Sequence, residues 1–155
     1  DMYFIHLGAG LFTATTVGAS SVDTQLYLFS ADGIGIVGND DASNVLQSSI
    51  SSFLAAGHYF LAISSFNSDP TNALGRIFPD TTNFNADPQW GPTGPGGALA
   101  LTGWSAQVGA GTTQSGAYGI VFNQQTVPEP DSLALMGLAL AGVAFAGLKG
   151  KKTGV

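Results

Sequence analysis

Five oxygen-bearing side chains, Asp23, Asp32, Asn39, Asp40 and Asp41, fall in one short stretch of the chain. Carboxylates and amide carbonyls are hard donors, and calcium takes about six to eight such oxygens. If the turns that carry them meet at one end of a domain, they offer a calcium site. The competing reading is plainer, since Asp and Asn are ordinary turn formers. No EF-hand spacing is present. Calcium is the one cofactor these residues admit, and nothing in the sequence requires a cofactor.

Other constellations are weaker. His6 and His58 each lie in an apolar stretch, with no H-E-x-x-H and no second His nearby in sequence. A zinc centre wants roughly three or four ligands, so both are expected to be hydrogen-bonded core or edge residues. Gly33 to Gly38 spells G-x-G-x-x-G, but the turn-forming Asn39-Asp40-Asp41 follows where a dinucleotide site needs a helix. A glycine-rich hairpin is expected there. No G-x-S-x-G elbow occurs. With four basic residues and two histidines in the chain, a nucleophile–base–acid set has little to draw on, and no enzyme is expected. Trp90, Trp104, Tyr59 and Tyr118 are able to stack on sugars, although aromatics of a β-rich domain are mostly core. Trp90, in a proline-rich stretch, is the candidate for an exposed glycan contact.

The elements that position these residues read as strands. The chain has 155 residues, 22 of them Gly, and only 9 % are charged. Met2 to Leu7, Leu11 to Val17, Thr24 to Phe29, Gly33 to Val37 and Gly57 to Phe66 are β-forming runs, parted by turn signals such as Gly8-Ala9-Gly10 and Asp32-Gly33. In Thr24 to Phe29, Leu26 and Leu28 face one way, Tyr27 and Phe29 the other. Val45 to Leu54 fits a strand or a short helix. Residues 67–97 hold five of the seven prolines and read as a long irregular loop. Ala98 to Val108 and Ala117 to Asn123 return to strands. The fold class is therefore mainly β, an antiparallel β-sandwich over residues 1–123. There is no cysteine, which excludes disulfides and thiolate chemistry. Three of the four basic residues, Lys149, Lys151 and Lys152, stand at the C-terminal end, against ten carboxylates in all. The body is acidic and should repel phosphate backbones, so no nucleic-acid partner is expected. The chain opens on Asp1, as in a processed protein or a fragment.

The composition changes at residues 124–130. Val127-Pro128-Glu129-Pro130 is a stiff spacer. In residues 131–155, Asp131-Ser132 caps an expected helix, and Leu133 to Leu148 has no charge and no proline. As a helix, residues 131–148 would span about 27 Å, slightly short of a ~30 Å hydrocarbon core. The lysines that follow predict a cytoplasmic C-terminus by the positive-inside rule. Leu133, Gly137, Ala141, Gly142 and Ala146 are the expected helix-packing positions, with Gly142 and Ala146 a small-xxx-small pair.

Pro128-Glu129-Pro130, the apolar run and the lysine cluster together resemble the PEP-CTERM sorting signal of exopolysaccharide-producing Gram-negative bacteria. The resemblance implies export and handling by an exosortase, with Pro128, Glu129 and Pro130 as recognition residues and none of them catalytic. The body resembles the bacterial pre-peptidase C-terminal (PPC-like) β-sandwich through Asp1-Met2-Tyr3-Phe4, Leu11 to Thr16, Asp23 to Phe29, Asn39 to Ala42 and Gly57 to Ile63. That likeness implies occasional calcium in the turns. It also implies one further preceding strand, for which a neighbouring subunit is one source.

The reading that follows is a non-enzymatic structural protein of the cell surface or extracellular matrix of a biofilm. It is anchored in the membrane through its tail before processing, and a self-assembling filament subunit is its specific form. The alternative is a calcium- or exopolysaccharide-binding surface module; a secreted hydrolase ranks last.

Overall fold

The computed structural model describes residues 1–79, 89–105 and 116–126. They form antiparallel sheets, with no helix among the described residues. The first sheet has four strands in the order β1 (Met2–Leu7), β6 (Gly57–Ser65), β3 (Thr24–Ser30), β4 (Gly35–Asn39). The second has three, in the order β10 (Val121–Thr126), β2 (Gly10–Thr15), β5 (Ser49–Leu54). A third, small sheet joins β8 (Gly75–Arg76), β7 (Pro70–Asn72) and β9 (Gly103–Trp104).

Alternation along the strands builds the core. In β2, Gly10, Phe12 and Ala14 are buried while Leu11, Thr13 and Thr15 are half-exposed, as a period of two requires. Phe12 and Ala14 meet Ile50 of β5, Leu26 and Leu28 of β3, and Tyr59, Leu61 and Ile63 of β6 in one cluster between the two larger sheets. Phe12 is fully buried, so truncating it to Ala should cost about 3–5 kcal/mol. Gly10 starts β2 with φ +142°, and a Cβ there would stand 1.9 Å from the Gln125 carbonyl oxygen of β10. No other residue fits that approach.

Strand β3 is buried on both faces. Tyr27 and Phe29 point away from the first cluster, as their alternation predicts, and therefore need a second cover. Described residues of the 67–97 stretch supply it. This stretch is not an irregular loop throughout, because it carries β7 and β8 and sends Ile77 and Phe78 into a second core with Tyr27, Phe29 and Ala62. Asp69 fastens it. Its Oδ1 accepts hydrogen bonds from Gln25 Nε2 (3.2 Å) and the Tyr27 hydroxyl (3.4 Å), and its Oδ2 pairs with Arg76 Nε at 3.1 Å.

Other elements shift from their expected bounds. Of the strand expected over Ala98 to Val108, the described residues show Gly103–Trp104, paired with β7 through the Thr102 and Ser105 N–H groups, which donate to the Thr71 and Asp69 carbonyls; residues 106–108 lie outside the described residues. Strand β10 begins at Val121 and runs to Thr126, past Asn123, held by its full register on β2. Val45 to Leu54 resolves as turn followed by strand β5.

Candidate functional site

Strands β3 and β4 form an antiparallel hairpin with Leu26 opposite Asn39. That register places the residue before β3, Asp23, beside the residues after β4, Asp40 and Asp41. A carboxylate oxygen of each of the three lies within 4.8 Å of the others, and all three residues are buried, at 8 %, 3 % and 7 % exposure. The Oδ1 atoms are withdrawn from solvent. Burial pushes the Asp23 carboxyl above the usual carboxylate range.

The surrounding turn is tied by backbone and amide bonds. Asn39 is buried and spans the turn, its Nδ2 donating to the Asp41 carbonyl (3.0 Å) and its Oδ1 accepting from the Ser49 N–H (2.8 Å). The Thr24 N–H donates to the Leu46 carbonyl at 3.0 Å and the Ala42 N–H to the Gln47 carbonyl at 2.6 Å. Beside Asp23 in the chain, Thr24 belongs to a knot of buried hydroxyls. Thr16 Oγ1 is 2.6 Å from Thr24 Oγ1, which is 3.1 Å from Ser48 Oγ. The Ser48 N–H donates to Thr16 Oγ1 at 3.0 Å, and the Ser48 hydroxyl donates to the Thr24 carbonyl. This knot joins the starts of β3 and β5 to the end of β2, and through Thr24 it adjoins Asp23 in the chain.

Of the five oxygen donors singled out in the sequence, the fold brings together Asp23, Asp40 and Asp41. Asn39 adjoins them, with its amide engaged in holding the turn. Asp32 does not join them. It is exposed in the turn at the far end of β3, where the Gly33 N–H donates to the Ser30 carbonyl at 2.9 Å. A seven-residue strand of ~3.3 Å per residue separates the two ends.

Trp90 is not the projecting aromatic that its proline-rich setting suggested. It is half-buried against the second core and pairs with Gly38 in an isolated bridge. Of the core or edge places expected for the histidines, His6 takes an edge place on β1 and His58 stands beside it on β6, and both are exposed. The hydroxyl knot was not singled out in the sequence. Thr16, Thr24 and Ser48 read there as ordinary strand and turn residues, and only their shared burial marks them.

Comparison with known families reaches the other end of the chain. Residues 126–149 match the PEP-CTERM protein-sorting motif. A PEP-CTERM signal marks a protein exported to the cell envelope or surface and points to processing by an exosortase. Pro128, Glu129 and Pro130 fall inside the matched span, as do Leu133, Gly137, Ala141, Gly142 and Ala146. All eight lie outside the described residues, as does the helix expected over residues 131–148. No curated protein and no solved structure matches the chain.

Proposed function

We propose that this exported PEP-CTERM protein is a non-enzymatic surface module whose body, a PPC-like β-sandwich, is locked at one end by calcium. The observation that carries the reading is the meeting of Asp23, Asp40 and Asp41, three buried carboxylates with oxygens within 4.8 Å. Two unit charges about 4 Å apart repel by roughly 4 kcal/mol at an effective dielectric near 20. A divalent cation turns that repulsion into attraction, and all-oxygen donors suit calcium better than a softer metal. Nearby backbone carbonyls and water would complete the coordination.

Calorimetric titration of the full chain with calcium tests this, alongside thermal unfolding with and without the ion. Extracellular calcium modules bind at about 10⁻⁴–10⁻³ M. A tenfold excess over Kd should add about 1.4 kcal/mol of stability. Asp40→Asn with Asp41→Asn should abolish both the heat and the shift. A wild-type protein that shows neither at millimolar calcium removes the reading.

A second reading, assembly of copies into a surface structure or filament, has its own support. Edge strands β1 and β10 expose Phe4, Val121 and Phe122 at 60 %, 61 % and 54 %. Between them opens an apolar cavity of about 220 Å³ lined by Tyr3, Ile5, Leu61, Ile120 and Phe122. A strand from a second copy would cover this edge, and other copies or lipid would cover the charge-free run Leu133 to Leu148. Electron microscopy of native material, with mass spectrometry of the C-terminus, tests assembly and processing together. Monomers at all concentrations would exclude assembly. An intact C-terminus on surface-located protein would exclude exosortase cleavage.

A further inference from the structure

Strands β1 and β6 pair antiparallel with His6 directly opposite His58. Both side chains are exposed, and their ring centroids lie 4.8 Å apart with planes inclined at 57°. From this geometry we infer that His6 and His58 form a two-imidazole site for a divalent transition-metal cation: Cu²⁺, Ni²⁺ or Zn²⁺.

The separation is what cis coordination demands. A metal bound to imidazole stands about 2.0–2.1 Å from the nitrogen, hence roughly 3.2 Å from the ring centroid. Two rings on one metal, at an angle between square and tetrahedral, then have centroids about 4.5–5.2 Å apart. The observed distance falls inside that window, so the rings need no change of spacing to share an ion. Directly opposed residues of an antiparallel pair hold their Cβ atoms at about 4.5–5.5 Å, so the backbone register maintains the spacing.

One ring is also held in place. Phe4 stacks on His58 with centroids 5.0 Å apart and planes 3° from parallel, and Phe60 packs against Phe4 at 5.0 Å. A supported ring gives up less rotamer freedom on binding. Neutral imidazole suits Cu, Ni and Zn and is a poor partner for calcium. The site thus differs in chemistry as well as position from the carboxylate cluster. No third His or carboxylate joins the pair among the described residues, so the remaining coordination positions are open to water or to an external ligand.

The test is a Zn²⁺ titration of the full chain by calorimetry, paired with the histidine ring resonances followed by NMR as Cu²⁺ is added. One ion should bind per chain at this site, with the His6 and His58 ring signals broadened first. His6→Gln and His58→Gln should each weaken Zn²⁺ binding by about tenfold or more, at least as much as loss of a supporting contact does at other metal sites. Both positions are exposed, so both variants should keep the wild-type circular dichroism spectrum. Asp40→Asn with Asp41→Asn should leave the imidazole response unchanged. The inference is overturned if Cu²⁺ leaves both rings sharp, if either Gln variant binds Zn²⁺ as tightly as wild type, or if the two Asn substitutions remove the response.

Discussion

Gly38 and Trp90 exchange two backbone hydrogen bonds, Gly38 N–H to the Trp90 carbonyl at 2.9 Å and Trp90 N–H to the Gly38 carbonyl at 2.8 Å. This single bridge brings the end of the proline-rich segment onto β4, next to the turn that carries Asp40 and Asp41. The Tyr27 ring leaves no space above Gly38, where a Cβ would lie 2.6 Å from Tyr27 Cδ1. The Tyr27 ring is itself fully buried and packs on Phe78 and Trp104. Gly38→Ala should therefore destabilise the protein by about 1–3 kcal/mol, as overpacking does. Urea unfolding followed by tryptophan fluorescence measures it, and Gly91→Ala, where a Cβ meets nothing within 4 Å, is the matched control.

The hydroxyl knot gives a second expectation. Ser48→Ala removes a donor to the buried Thr24 carbonyl and a partner of Thr24 Oγ1. Leaving buried polar groups unsatisfied costs about 1–3 kcal/mol. The loss should appear in the urea midpoint without a change in slope. If calcium binds at the Asp-rich turn, Ser48→Ala should also weaken that binding, because Ser48 holds Thr24, the residue next to Asp23.

Asp69 should prove a structural hub. Its carboxylate serves Gln25, Tyr27 and Arg76, and its backbone N–H donates to Ser105 Oγ at 2.9 Å. Asp69→Ala should destabilise by about 1–3 kcal/mol, chiefly through the buried Tyr27 hydroxyl and the Gln25 amide. Arg76 is one-third exposed, so its pair with Asp69 should add little. Hydrogen exchange should show protection lost in β7 and β8 before β2 and β3 are affected.

Alkaline pH should unfold the protein. Burial, and then the Asp69 and Asp40 carboxylates, push the Tyr27 phenol well above its ordinary value. Burial and the Tyr3 hydroxyl push Tyr118 up to about 12. In each case the unfolded chain loses its proton first, from a pKa of about 10. Stability is therefore intact below that pH and falls as pH rises above it. Absorbance at the tyrosinate band should show Tyr27 titrating only as the protein unfolds, and Tyr27→Phe should flatten the pH dependence.

Asp23 should act in the opposite pH range. Its carboxyl is raised by burial, so its charge opposes folding at neutral pH. That contribution is relieved as pH falls through the folded value toward about 3.9 in the unfolded chain. Without calcium, Asp23→Asn should raise stability at neutral pH and leave it nearly unchanged at low pH. With calcium, the same substitution should lower stability. Thermal melts across pH, with and without the ion, separate the two cases.

Sequence alone determined the features that depend on local order along the chain. Alternation in Thr24 to Phe29 and Leu11 to Val17 named strands and faces, because successive side chains of a strand point to opposite sides. The PEP-CTERM signal was legible for a similar reason: Pro-Glu-Pro, apolar run and basic cluster follow one another directly. Tertiary structure alone decided which distant residues meet. Asp40 and Asp41 join Asp23 because the β3–β4 hairpin returns the chain to its starting end, and Asp32 is left at the other by the same hairpin. His6 finds His58 only through the β1–β6 register, in which a slip of one residue would turn the rings to opposite faces. Residues 67–97 looked like a loop because their prolines break every local pattern. Ile77, Phe78 and Trp90 of that stretch nevertheless pack over Tyr27 and Phe29, because a strand apolar on both sides must be covered on both.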